Sequence, residues 1–290
     1  LKYLSYIIIR FFVAVFSLIP FSLLYIISDF IAFILHRILS YRSGVIKKNI
    51  EFCLPSASEL EKDNIISKFY KNFSDILIES IKGLGTDRQI LIDRYQLLNP
   101  EILEHHYHNQ QSIVIYSQHY NNWEWGALTL GLQTSHHIVG IVKKISNEHV
   151  NNYVQNGRTG HNVSVVTMEE IEKLYRTNYE KPIAIVFIAD QMPFRSTRNH
   201  DVNFMSNKVA FHKGAAIYAC SKNYPVYTID IHRKSRGQYE LELNPICEKP
   251  KELSPIELTQ LYVTNLEKLI KKSPESWLWS HKRFKKEIQY

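Results

Sequence analysis

From Ser112 onward the chain repeats one texture: a short apolar run, a polar or helical stretch, then another apolar run. SIVIYS (112–117), HIVGIV (137–142), VSVVT (163–167), IAIVFI (183–188) and VYTIDI (226–231) are the runs. Each is strand-length and apolar almost throughout, the pattern of a strand buried on both faces. Between them Trp123–Gly131, Asn147–Gln155, Met168–Tyr179 and Val209–Lys222 carry helical spacing. Strand alternating with helix predicts an α/β fold, a mostly parallel central sheet flanked by helices. Tyr239–Leu243 (YELEL) alternates and predicts an edge strand, and Ser254–Lys272 predicts a closing helix. Upstream, residues 56–83 predict a surface helix. Ser56 or Ser58 is its cap, Glu59 and Glu61 lie in its first turn, and Gly83 and Gly85 stop it.

The first forty residues differ from this body. No charge interrupts Phe11–Ser28, and a second apolar piece, FIAFIL, covers 30–35. A membrane span needs roughly 20 apolar residues, so the stretch is borderline, and Pro20 kinks or splits any helix through it. Arg37, Arg42, Lys47 and Lys48 follow where a cleaved leader needs small residues. Cations on that flank hold it on the cytoplasmic side. The expected division is an N-terminal membrane-anchoring helical segment at 1–40 and an α/β domain at 41–290. A mean hydropathy of -0.22 excludes a chain built mostly of spans.

The net charge of +7 is unevenly placed. Residues 1–57 hold six basic and two acidic side chains, residues 281–290 hold four and one, and the rest is balanced. An excess confined to the anchor and an aromatic tail, Trp277-Leu-Trp279-Ser-His281-Lys-Arg283-Phe, suits an anionic membrane surface better than nucleic acid. Three cysteines without ligand spacing argue against structural zinc and for a reducing compartment. No His-Glu-x-x-His, Walker loop or Gly-x-Gly-x-x-Gly occurs, so neither metal nor nucleotide cofactor is expected. Ser117 lies in no Gly-x-Ser-x-Gly elbow.

The chemistry concentrates at Ser117-Gln-His119-Tyr-Asn-Asn122-Trp-Glu124. His119 follows a predicted strand and precedes a helix, the edge where α/β sheets bind ligands. An imidazole there takes a proton from an attacking hydroxyl, and Glu124 is expected to fix its other ring nitrogen. A lone His-x4-Glu among 13 histidines is weak by spacing; the strand–loop–helix context and the Asn122-Trp123 between the two residues strengthen it.

His119-x-x-Asn122-Trp123-Glu124 resembles the signature of the bacterial late acyltransferases of lipid A biosynthesis, within the larger lysophospholipid acyltransferase group. Further blocks agree in order: Pro20, Tyr25 and Ser28; Tyr41-Arg42; Lys48-Asn49; Glu79-Ser-Ile-Lys82; Asp190-Gln191; Val202-Asn-Phe204; and Trp279-Ser-His281-Lys-Arg283-Phe-Lys285. Met205-Ser206-Asn207 and His212-Lys213 depart from the family pattern. The resemblance implies acyl transfer from an acyl carrier protein thioester to a glycolipid hydroxyl at the inner membrane. His119 is then the base and Glu124 its orienting carboxylate. Asn122, Arg158, Asp190, Arg195 and Arg198 are substrate-contact candidates, with Arg158 or backbone N–H groups at the start of the Trp123 helix serving the oxyanion. The alternatives are a lysophospholipid, aminolipid or other glycolipid acceptor, or a catalytically silent lipid-binding protein.

Overall fold

The computed structural model describes residues 2–159, 162–193 and 199–290. Pro20 breaks the apolar N-terminus into α1 (Lys2–Leu18) and α2 (Phe21–Phe33), the latter running on as a wider turn over Ile34–Ile38. α3 (Ser43–Cys53) leads to the long α4 (Glu59–Gly85), started by a complete Ser58/Glu61 capping box. Gly83 does not end this helix. A side chain there would sit 2.7 Å from Trp125 Nε1, so the glycine admits the tryptophan. Then come α5 (Arg88–Arg94), β1 (Tyr95–Leu97), α6 (Pro100–His108), β2 (Ile113–Ser117), α7 (Trp123–Thr129) and β3 (His137–Val142). α8 (Glu148–Arg158), β4 (Val163–Thr167), α9 (Glu172–Arg176) and β5 (Ile183–Ile188) follow. β6 (Asn199–Phe204), β7 (Asn207–His212), α10 (Gly214–Lys222), β8 (Val226–Ser235), β9 (Gln238–Cys247) and α11 (Pro255–Lys272) complete the chain.

The main sheet has the order β1-β9-β8-β2-β5-β3-β4. The last five strands in that order are mutually parallel, and β9 with β1 runs against them. This is the α/β architecture read from the apolar runs. All five residues of β2 are buried, because helices cover both faces. One core lies with α10, α11 and the C-terminal aromatics; the other holds Tyr95, Trp125, Tyr239 and their neighbours.

Three local expectations are corrected. YELEL lies in β9, an interior strand, because the short β1 pairs outside it. The 168–179 helix contracts to Glu172–Arg176. Residues 209–212 are not helix: β6 and β7 form an antiparallel hairpin whose Val202, Phe204, Val209 and Phe211 are buried. Its two turn residues, Met205 and Ser206, both have positive φ (48° and 64°), as the twist of a two-residue hairpin requires.

α1 and α2 pack on α4 through Val13, Phe16, Leu24, Ser28 and Ala32. The buried Lys82 ammonium closes the break at Pro20, donating to the carbonyls of Phe16, Ser17 and Ile19 at 3.0, 3.1 and 2.8 Å. The outer faces carry exposed Tyr3, Leu4, Ile7, Phe11, Leu23, Ile26, Phe30 and Phe33. Phe21–Ile38 is long and apolar enough to cross a membrane. The tail is not an exposed aromatic belt: Trp277, Trp279, Arg283 and Phe284 are all buried in the core.

Candidate active site

β2 and β5 are paired in parallel with Ser117 opposite Ile188. Two residues beyond this pair in each strand stand His119 and Asp190, so the sheet register itself sets them side by side. His119 Nδ1 lies 2.7 Å from Asp190 Oδ1, and the His119 backbone N–H donates to Oδ2 at 3.0 Å. Trp277 Nε1 donates to the same Oδ2 at 2.8 Å. Burial alone would push the Asp190 carboxyl up, but the charge of His119 and the bonds from His119 and Trp277 hold it below its ordinary value. Arg283 anchors this corner from behind, donating to the carbonyls of Asp190 (2.7 Å) and Ala210 (2.6 Å).

Gln191 Nε2 lies 3.1 Å from His119 Nε2. An amide N–H pointing at that nitrogen makes it an acceptor, so the ring proton sits on Nδ1 and faces Asp190. The nitrogen available to a substrate is therefore Nε2. The Trp123 ring meets the imidazole edge-on, with centroids 5.0 Å apart.

Glu124 is not the carboxylate on the imidazole. It pairs with Arg158 at 2.5 Å, and Asp190 takes the orienting place. The reason is tertiary: α7 carries Glu124 away along the helix while β5 delivers Asp190 in register. Glu124 instead lines a cleft of about 370 Å³ with Tyr41, Arg42, Phe73, Leu77, Trp123 and His281. Arg158 holds Glu124 from beside the cleft, and the guanidinium that lines the cleft is that of Arg42, which donates to the Ser280 carbonyl at 2.7 Å. Burial pulls the His281 imidazole down to about 4.

Two other candidates serve a different part than substrate contact. Asn122 is fully buried, and its amide is committed at both ends. Its Oδ1 caps α7 at Trp125 N (3.0 Å), and its Nδ2 donates to Glu79 Oε2 (2.7 Å). Asp190 is likewise buried and acts on His119. Arg195 and Arg198 lie outside the described residues.

Glu79 stood in the sequence only as a motif letter, with no role read for it. This buried carboxylate accepts from Asn122, from Tyr239 (2.7 Å) and from Tyr25 of α2 (2.8 Å). Burial pushes it up to about 7 against the hydrogen bonds from Tyr239 and Tyr25. The polar Tyr25, set in an apolar helix, was the sequence signal. Gln191, Trp277 and Arg283 were visible only as motif letters, because what they touch lies far along the chain.

An imidazole with Nδ1 on a buried carboxylate and Nε2 open beside an apolar cleft can take a proton from a hydroxyl. The family model for bacterial lipid A biosynthesis acyltransferase matches residues 1–286, and the chain belongs to this family. It is an acyltransferase. The lipid A biosynthesis lauroyltransferase of Escherichia coli (strain K12) is 24% identical over 255 residues, covering 86% of this chain and 81% of the relative. The lipid A biosynthesis palmitoleoyltransferase of the same strain is 21% identical over 270 residues, covering 92% and 86%. The lipid A biosynthesis acyltransferase of Shigella flexneri matches at the same 21% over 270 residues.

Proposed function

We propose that the protein moves a fatty acyl chain from an acyl carrier protein thioester to a hydroxyl of a lipid A precursor, at the cytoplasmic face of the inner membrane. The carrying observation is the His119 imidazole, locked at Nδ1 by Asp190 at the joint of two parallel strands. The acceptor hydroxyl displaces Gln191 and gives its proton to Nε2 as its oxygen bonds to the thioester carbonyl carbon. Arg158, held by Glu124, faces the oxyanion that develops. Collapse of the tetrahedral intermediate breaks the C–S bond, and the departing thiolate takes the proton back from Nε2. Phe73, Ile76 and Leu77 of α4 supply the cleft with an apolar wall suited to the acyl chain.

Residues 1–40 serve as the membrane attachment. α2 is tied to the body by polar bonds, Tyr25 to Glu79, Ser28 to Asp75 (2.6 Å) and Asp29 to Arg236 (2.8 Å). Crossing a bilayer would break all three ties, so we read α1 and α2 as lying in the interface with their exposed apolar face down. An apolar face of this size on water is otherwise hard to reconcile with a soluble monomer.

The test is transfer by purified protein with carrier-protein and coenzyme A thioesters, alongside the mass of lipid A from a deletion strain. Transfer is expected to fall about 10²–10⁴-fold in His119→Ala, and lipid A is expected to lose one acyl chain in the deletion strain. Full activity in the variant would remove the base. An unchanged lipid A mass would reassign the acceptor to another lipid.

A double-mutant cycle separates Glu124 from the base. Glu124→Gln and Arg158→Ala are each expected to lower the rate by about 10–100-fold, the worth of a hydrogen bond to a charged group. The double variant is expected to be little worse than either single one, because both remove the same placed cation. Additive losses would instead give Glu124 a task independent of Arg158.

A further inference from the structure

The turn that carries His119 runs between two hollows. Tyr120 and Asn121 line a second cavity of about 680 Å³ behind α4, while Trp123 and Glu124 line the catalytic cleft. Within the turn Asn121 is held in the left-handed region at φ 49°. A residue other than glycine keeps such a conformation only where its surroundings impose it. Packing does not impose it from the two open sides, so the turn depends on its tethers. Asn121 Nδ2 is fixed on the Ile231 carbonyl of β8 at 2.6 Å, and the Asn121 backbone N–H on the Ser276 carbonyl at 2.9 Å. A third tether is Asn122, and it ends on Glu79.

We propose that Glu79 is a positioning residue of the transfer reaction, the joint through which the seating of α2 sets the turn that carries His119. From α4, Glu79 offers two acceptors to the start of α7. Its carboxylate takes the Asn122 amide at 2.7 Å, and its backbone carbonyl takes the Trp125 indole N–H at 2.8 Å. Asn122 in turn caps α7 at Trp125 N, and Trp123, between them, lies edge-on to the His119 ring. From the other side the same carboxylate receives Tyr25 of α2 on Oε1 and Tyr239 of β9 on Oε2. Arg236 lies over the Tyr25 ring at 4.6 Å, and Phe21, one turn earlier in α2, meets Trp125 edge-on with centroids 5.9 Å apart. α2 therefore reaches the start of α7 twice, once through an apolar contact and once through Glu79.

Electrostatics makes this joint sensitive to α2. Glu79 is 1% exposed, and a buried carboxylate keeps its charge only where donors surround it. Burial pushes the carboxyl up to about 7; the bonds from Tyr239 and Tyr25 oppose this, Asp75 adds to it, and the charge of Arg233 opposes it. Withdrawing the Tyr25 hydroxyl removes one of the bonds that favour the charged form. The carboxyl then takes up a proton more readily, and the Asn122 bond loses the charge that strengthens it. A hydrogen bond to a charged acceptor is roughly twice as strong as a neutral one, so the loss falls on the tether of the catalytic turn. A second tie of α2 has no such reach. Ser28, about one turn beyond Tyr25, gives its hydroxyl to Asp75 at 2.6 Å, and Asp75 makes no bond to the turn among the described residues.

This inference rests on His119 as the base, and its test has two arms. The first compares Tyr25→Phe with Ser28→Ala, each of which removes one hydroxyl between α2 and α4. Both are expected to lower the melting temperature. Tyr25→Phe alone is expected to lower kcat, by about tenfold, with the KM values for donor and acceptor unchanged. Glu79→Gln keeps an oxygen for Asn122 and Tyr239 but no charge, and is expected to match Tyr25→Phe in kcat. The double variant is expected to lose stability but little further kcat, because Tyr25 acts on the turn through the charge that the amide lacks. Equal losses of kcat in Tyr25→Phe and Ser28→Ala, or losses in Tyr25→Phe and Glu79→Gln that multiply in the double variant, would overturn the proposal. The second arm reads the ring without turnover, by nuclear magnetic resonance of protein carrying isotope-labelled histidine. The His119 signal is assigned by its loss in His119→Ala. It is expected to shift in Tyr25→Phe and Glu79→Gln and to stay in place in Ser28→Ala. An unmoved signal in Tyr25→Phe would overturn the coupling. This arm decides the coupling even if His119→Ala retains full activity and the base must be sought elsewhere.

Discussion

Asp190→Asn is expected to abolish most of the transfer activity, by about 10²–10⁴-fold, as completely as removing the imidazole. The argument is one of hydrogen-bond polarity. Asp190 Oδ2 receives two fixed donors, the His119 backbone N–H and Trp277 Nε1. In the variant these donors hold the amide oxygen in that place and turn its NH₂ toward His119 Nδ1. Two N–H groups cannot face each other, so the ring proton moves to Nε2, and the nitrogen that must accept the substrate proton no longer can. The fold should persist, because the side chain keeps its shape. The check is the single-turnover rate of folded variant protein; a rate within tenfold of the parent would show that Asp190 does not set the tautomer. The pH dependence gives a second reading. Asp190 is held below its ordinary value in the folded state, so its charged form contributes stability above the unfolded carboxylate pKa. That contribution is lost as pH falls through the folded value. Acid denaturation is therefore expected to be shallower in Asp190→Asn than in the parent.

Arg283→Met should instead damage the fold, by about 3–5 kcal/mol. The guanidinium is 2% exposed and lies over the Phe211 ring at 4.3 Å. Its two hydrogen bonds tie the Asp190 carbonyl to that of Ala210, joining the end of β5 to the β6–β7 hairpin. Burial pulls Arg283 down to about 10, so it is still charged at neutral pH. Methionine fills much of the volume but leaves two buried carbonyls without donors and the Asp190 charge without its neighbour. At about 2–4 °C per kcal/mol for a chain of this size, the melting temperature should fall by about 10 °C. Arg283→Lys is expected to recover little, since Arg283 reaches the two carbonyls from separate nitrogens, Nε and Nη2, and an ammonium offers a single point in their place. A melting temperature unchanged in Arg283→Met would mean that the hairpin and the strand end are held by other contacts.

These two residues mark the limit of what was readable along the chain. Strands with continuous apolar runs were legible because burial on both faces leaves no polar alternation to misplace them. The β6–β7 hairpin was not. Its turn is Met205-Ser206 rather than a glycine pair, and the apolar residues at 209–211 run straight toward α10, so a helix beginning at Val209 fits the letters equally well. His119 was legible from its position after a strand. Its partner was misassigned because chain proximity favoured Glu124, five residues away, over Asp190, 71 residues away. Nothing within one strand tells which residue its neighbour places opposite.

The apolar N-terminal segment divides the same way. Its apolar length and the break at Pro20 follow from the letters alone. That α2 docks on α4 and on the β8–β9 turn follows from Tyr25 and Ser28 meeting Glu79 and Asp75, and Asp29 meeting Arg236, which no local pattern states.

The chain by itself therefore determined its class, its apolar N-terminus, the place of His119 at a strand end and the division of its charge. Periodicity, hydropathy and strand-end context are local properties, set by how each residue meets water or its own backbone. Only the tertiary structure decided which carboxylate meets His119, that Glu124 pairs with Arg158, that the tail's aromatics and Arg283 are core rather than surface, and that a second cavity lies behind α4. Those are questions of which distant strands pair and in what register, and a hydrogen bond acts over about 3 Å in space whatever the distance in sequence.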